Sequence, residues 1–118
     1  MDLNQMINQV KSQIDFDWVG MIVTHNGVVR GTSRDGSKVT GLEIISVDQE
    51  KIDVIIDDIE GRPGIEAVLV DVAHGKLKVG DDILMVVVAG DLRDNVFPAL
   101  VDTVNRIKKE AVTKKEIA

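Results

Sequence analysis

Residues 83–89 read Ile-Leu-Met-Val-Val-Val-Ala, an apolar run without interruption and of the length of one strand. A strand with one face in water alternates apolar and polar residues, so this run predicts a central strand covered on both faces. Upstream, Ala67–Val72 alternates around Val68 and Val70, and Gly75 and Gly80-Asp81 mark turns. Before that, Ile52, Ile55, Ile56 and Ile59 form one stripe of a helix that Asp48 can cap and that Gly61 and Pro63 end. Trp18–Thr24 and Val28–Gly31 are β-rich and flank Asn26-Gly27, and Asp35-Gly36 precedes a run from Val39 to Val47. Both dipeptides supply the positive φ of tight hairpin turns, so a meander of three strands is expected here. At the start, Leu3, Met6, Ile7, Val10 and Ile14 recur at helical spacing after Asp2, with Gln5 placed for a capping box. At the other end, Val96, Phe97, Leu100, Val101, Val104 and Ile107 form the apolar face of a long helix. Pro98 lacks an N–H and fits only the first turn. That helix is therefore expected to start near Asp94, leaving Asp91, Leu92 and Arg93 in a loop. The order α-β-β-β-α-β-β-α is that of an α+β fold rather than a doubly wound sheet.

The chain has 118 residues, 44% of them hydrophobic and 29% charged, which suits one folded domain over residues 1–118. A domain of this size needs neither disulfides nor a structural metal. The absence of Cys excludes a thiol nucleophile, a Cys-ligated zinc and an iron–sulfur cluster. A net charge of −6 and 3% aromatic residues argue against a nucleic-acid partner. No apolar run approaches the ~20 residues that span a bilayer, and Met1–Ile14 lacks the apolar core of a signal peptide. A soluble, cytoplasmic protein with no membrane contact is expected.

Charge is unevenly spread. Residues 1–105 hold 9 basic and 18 acidic side chains, whereas residues 106–118 hold 5 basic (Arg106, Lys108, Lys109, Lys114, Lys115) and 2 acidic. Basic residues near a helix C-terminus complement its dipole and can simply stay solvated. The alternative is that Lys108 and Lys114 converge with Arg30 and Arg93 on an anionic ligand, and spacing alone does not choose. Arg30 follows Val28-Val29 on a half-buried strand and needs an anionic partner, either Glu43 across the sheet or a ligand. His25 and His74 have no metal-ligand spacing, and His25 reads as a turn residue beside Asn26-Gly27. Gly31–Gly36 is a phosphate loop in composition only, without the Gly-Lys-Ser/Thr of Walker A, and reads as a hairpin loop. Asp57-Asp58 and Asp81-Asp82 are adjacent, so their side chains diverge and do not make a catalytic pair.

From Trp18 to Glu116 the chain resembles the large, catalytic subunit of molybdopterin synthase. Asn26-Gly27-Val28-Val29-Arg30, after Gly20–Val23, looks like the family's strand ending in Gly-x-Val-Arg. Val39–Glu43 with its following helix, and Gly75–Asp81, similar to the family's Gly-Arg-Leu-x-Ile-Gly-Glu hairpin, match in order. The closing helix with Lys108 and then Lys114-Lys115-Glu116 looks like the family's Lys followed by Lys-Lys-Glu. Leu92-Arg93 stands where the family has His-Arg. Ala111-Val112-Thr113 replaces an aromatic and a proline with one residue fewer, so Lys114 or Lys115 can fill the second lysine position.

The resemblance implies an α/β-hammerhead-like α+β fold, with mixed or antiparallel sheets and flanking helices, and a homodimer of large subunits. Its implied partner is a small ubiquitin-like sulfur carrier whose C-terminal Gly-Gly thiocarboxylate enters a pocket of the large subunit. The implied reaction is sulfur transfer to cyclic pyranopterin monophosphate, a phosphorylated pterin, giving the dithiolene of molybdopterin. By position, Lys108 and Lys114 match the active-site lysines, and Arg30, Arg93 and Lys115 fall to the anionic substrate. No cofactor or metal is expected. A lysine crowded by Lys109, Arg106 and a second subunit's cations would have its ammonium disfavoured, freeing an amine for attack while a second cation steadies an oxyanion. Two other readings share the fold: a non-catalytic dimeric module that binds a pterin, molybdenum cofactor or ubiquitin-like tail, and a bare dimerisation domain.

Overall fold

The computed structural model describes residues 2–118. The apolar run lies in β5 (Asp82–Gly90), the middle strand of an antiparallel sheet in the order β1-β5-β3, where β1 is Met21–Val28 and β3 is Ile65–Val72. Both faces of β5 are covered, as the missing alternation predicts. Leu84, Val86 and Val88 pack with Ile52, Ile55 and Ile59 of α2 (Gln49–Glu60) and with Val96 and Ala99 of α3 (Arg93–Arg106). Met85, Val87 and Ala89 pack with Met6 and Val10 of α1 (Leu3–Lys11). Each fully buried aliphatic side chain in these layers contributes about 1.5–3 kcal/mol relative to exposure.

The helix starts follow the chemistry of their first residues. The Asp2 carboxylate accepts from the Gln5 N–H at 2.8 Å and the Gln5 side chain accepts from the Asp2 N–H at 2.9 Å, which completes the capping box. Asp48 accepts from the Lys51 N–H at 3.1 Å and caps α2.

A second antiparallel sheet has the order β4-β2-β6, with β2 Gly41–Val47, β4 Gly75–Lys78 and β6 Val112–Ile117. Val29, Leu42 and Ile44 are buried where the two sheets meet, packed against Ile83, Leu77 and Val112. The α+β class with antiparallel sheets and flanking helices is therefore observed.

Several boundaries differ from the sequence reading. The expected hairpin at Asn26-Gly27 is absent: both residues lie inside β1, opposite Met85 and Leu84 of β5. A nine-residue central strand needs a partner of similar length, and pairing along all of β1 outweighs a local turn preference. Gly27 is not among the glycines with positive φ. Residues Val29–Gly31 then form a crossing between sheets rather than a separate strand, whereas Asp35-Gly36 does turn the chain, with Gly36 at φ 87°. The last helix starts at Arg93, so Pro98 falls past the first turn and Arg93 is helical. It ends at Arg106 in a π turn (Ile107–Ala111), and Lys114 and Lys115 belong to β6 rather than to a helix.

Candidate active site

Five basic residues from four parts of the chain line one cleft of about 850 Å³ at the junction of the two sheets: Arg30, Arg34, Lys38, Lys108 and Lys114. Val28, Val29, Leu42 and Ile83 form its apolar floor, and Asp35 and Glu116 are its acidic members.

Lys108 is placed by the π turn. Ile107 and Ala111 at its two ends are buried, and Arg106 anchors its start by donating to Asp58 at 3.0 Å and to Glu110 at 2.9 Å. The wider i→i+5 turn re-aims the residues between these anchors, a feature concentrated at functional sites. Lys108 is thereby turned to the cleft. Lys114 reaches it from β6, opposite Ile44 of β2. Because strand side chains alternate, Lys114 lines the cleft and Lys115 points to the other face of the sheet, beside Glu43 on β2.

Arg30 follows the buried Val29, and its Nε donates to the Thr32 carbonyl at 2.8 Å. Of the two partners open to Arg30, Glu43 is not bonded to it; Glu43 pairs in register with Lys76 on β4 and Lys115 on β6. Arg34 and Lys38 come from the loop closed by the Thr32–Lys38 bridge. Its Asp35 carboxylate accepts from the Ser33 and Ser37 hydroxyls and from the Ser37 N–H at 2.9 Å, and these bonds lower its pKa to about 2. The loop is thus wired from within, and its cations are left to face the cleft. Residues 31–36 lack a Walker pattern, yet basic residues beside that Gly/Ser-rich stretch were a signal that spacing rules passed over.

Arg93 does not line this cleft. It lies just beyond Gly90, which pairs with Met21, whereas the cleft lies by Val28 and Ile83 at the other end of the same strands, roughly 25 Å away at ~3.3 Å per residue.

The cluster acts on its own chemistry. The Lys108 pKa is lowered by burial first, then by the charges of Lys114 and Arg34. The crowding cations are therefore Lys114 and Arg34, not the adjacent Lys109 and Arg106, because neighbours on a turn point apart while strands and loops converge. The His25 pKa is also lowered, by burial and then by Lys108. His25 lies within β1 opposite Val86, not in a turn.

The family model of the MoaE protein matches residues 1–110. This chain belongs to the MoaE family. A probable molybdopterin synthase from Haloferax volcanii is 31% identical over 119 residues, which cover 97% of this chain and 46% of that protein. The chain thus spans about half the length of the curated relative it matches. Among solved structures, molybdopterin synthase from Staphylococcus aureus superposes with a TM-score of 0.81 at 24% identity, covering 99% of this chain and 85% of that one. A complex of subunits 1 and 2 of the molybdopterin-converting factor from Helicobacter pylori gives 0.73 at 15% identity, covering 99% and 83%. Both share the fold. Membership in the MoaE family supports a role in molybdenum cofactor biosynthesis. Among the described residues, no helix is long and apolar enough to cross a membrane.

Proposed function

We propose that this chain is the catalytic subunit of a molybdopterin synthase, which moves sulfur from the thiocarboxylated Gly-Gly tail of a small ubiquitin-like subunit to cyclic pyranopterin monophosphate. The observation that carries this reading is the meeting of Lys108 and Lys114 with Arg30 in one cleft, with the Lys108 ammonium disfavoured by burial and by Lys114. A cleft of about 850 Å³ accommodates a phosphorylated pterin and the end of a peptide tail. The two subunits in the Helicobacter pylori complex supply a precedent for such a partner on this fold.

In this mechanism the thiocarboxylate sulfur of the tail attacks a side-chain carbon of the pterin and displaces the oxygen bound there, so that a C–S bond replaces a C–O bond and an acyl thioester forms. The neutral amine of Lys108 then attacks the acyl carbon, the acyl C–S bond breaks with sulfur left on the pterin, and the amine proton passes to solvent; water then hydrolyses the resulting amide, releasing the tail carboxylate and restoring the Lys108 amine. Lys114 steadies the oxyanion, since an adjacent cation is worth more in a partly desolvated cleft than in water. Arg30 offers a planar fork for phosphate. Of the two candidate second lysines, the geometry favours Lys114. Lys115, on the opposite face of β6, would bind substrate only from outside this cleft. Arg93 would contribute only to the cleft of a second protomer, so its role depends on the homodimer.

The test is reconstitution with a thiocarboxylated small subunit and the cyclic precursor, read by mass spectrometry for the dithiolene product. Product is expected from the wild type, and Lys108→Ala and Lys114→Ala should each lower turnover by about 10²–10⁴-fold. Wild-type turnover by both variants would reject the assignment, and tight binding of both ligands without product would favour a binding module.

A further inference from the structure

His25 carries a polar atom that the lysine chemistry leaves unexplained. Its Nε2 is buried and has no hydrogen-bond partner among the described residues. An orphaned buried nitrogen costs about 1–3 kcal/mol, so a fold that keeps one has a use for it or fills it transiently. Position 25 sits on the β1 face shared with Val23, opposite Val86 of β5, where an apolar ring would satisfy packing alone.

The surroundings of the ring point toward Lys108. A Cβ built on Gly27 would stand 2.9 Å from Nε2, so the ring edge that holds this nitrogen lies over the glycine. Gly27 in turn lines a small cavity of about 70 Å³ whose wall includes both Lys108 and Lys114. No side chain at position 27 stands between the imidazole nitrogen and that cavity. Space of this size holds the tip of a lysine or about one or two waters. Lys108 lines both this cavity and the large cleft, so its flexible stem can serve either.

We propose that His25 is a positioning residue for Lys108: its neutral Nε2 accepts a hydrogen bond from the Lys108 amine across the small cavity and leaves the amine lone pair aimed into the cleft. This rests on the sulfur-transfer reading, in which Lys108 is the attacking amine. A neutral amine keeps N–H donors for the imidazole while its lone pair remains free to attack, so a pure acceptor suits the task. The protonation state agrees, because burial disfavours a charged ring, and Lys108, while it still carries its proton, disfavours a second cation beside it. Lys108 is the charged group that acts on the ring from the π turn, Lys114 stands behind it on β6, and the residue opposite on β5 is the uncharged Val86.

The experiment uses two variants and two kinds of readout. His25→Phe keeps the ring shape and removes the acceptor, and His25→Gln restores an acceptor near Nε2. The first readout is independent of sulfur transfer: acylation of Lys108 by a small aryl ester, followed by peptide mass spectrometry with Lys109 as internal reference. His25→Phe should slow Lys108 acylation about 10-fold to 100-fold, the scale of a misplaced reacting group, and His25→Gln should recover most of it. The melting temperature of His25→Phe should equal or exceed that of the wild type, since an unsatisfied nitrogen is gone. In the second readout, NMR titration, the His25 pKa should rise toward the ordinary 6.5 when Lys108 is replaced by Met. Unchanged Lys108 acylation in a folded His25→Phe, or a His25 pKa indifferent to Lys108→Met, would overturn the proposal. If the wild type makes no dithiolene while these readouts behave as expected, the sulfur-transfer reading fails and the pairing of His25 with Lys108 stands.

Discussion

Lys108 owes its lowered pKa to where the chain puts it rather than to its neighbours in sequence. Folding disfavours its ammonium, so between its lowered value and the ordinary 10.5 the folded chain binds fewer protons than the unfolded one. By linkage, the contribution of this group to stability rises with pH across that window. The same displacement makes the amine available below the pH at which an exposed lysine loses its proton. Labelling with an amine-selective reagent across pH should give Lys108 a midpoint below the ordinary 10.5, and Lys114→Met should move that midpoint upward; no movement would show that Lys114 does not act on it. Asp35 obeys the same sign for a different cause, since hydrogen bonds favour its charged form whereas burial disfavours that of Lys108. Its pKa of about 2 lies below the ordinary 3.8, so the loop is stabilised above the ordinary value and loses that support as pH falls through about 2. Asp35→Asn should loosen residues 32–38 at neutral pH, read as faster amide exchange at Ser37, whose N–H donates to that carboxylate.

Elements were legible where one chemical cause dominates. Asp48 caps α2, and Ile52, Ile55 and Ile59 are buried on one stripe, as their 3.6-residue spacing required. Asp48→Ala should cost about 1 kcal/mol and Ile55→Ala about 2–5 kcal/mol, both read by chemical denaturation, with the second larger because it opens a cavity in the core. Legibility failed where two causes compete. Asn26-Gly27 has turn propensity, but the pairing of Met21–Val28 with β5 prevails, and Gly27 serves the close approach of the His25 ring. Pro98 marks a helix start on local grounds, yet the bond from the Asn95 side chain to Asp91 and the burial of Val96 hold the chain helical from Arg93. The apolar pattern through Ile107 gave no sign that the helix would widen into a π turn, because that change depends on the Arg106 contacts with Asp58 and Glu110 and on burial of Ala111.

At the scale of the molecule, a chain of net charge −6 concentrates five cations in one cleft. Local fields of this kind can attract an anion against the overall charge, and they are screened by salt over a Debye length of about 10 Å at 0.1 M. Inorganic phosphate binding measured by calorimetry should weaken steeply between low and high ionic strength, and Arg30→Gln should weaken it further; binding indifferent to salt would mean that the cleft does not hold phosphate through these charges. The sequence by itself determined the α+β class, the doubly covered central strand, the caps of α1 and α2, and three of the cleft's five cations, Arg30, Lys108 and Lys114. These follow from periodicity, local hydrogen bonding and residue chemistry, all short-range properties of the chain. Tertiary structure alone decided which cations share a cavity. Lys114 and Lys115 differ by one position and face opposite sides of β6. Arg34 and Lys38 join the cleft because a bridged loop folds over it, and Arg93 is held at the far end of β5. Convergence of this kind depends on sheet register and on the crossing between sheets, contacts between residues far apart in sequence that no local window contains.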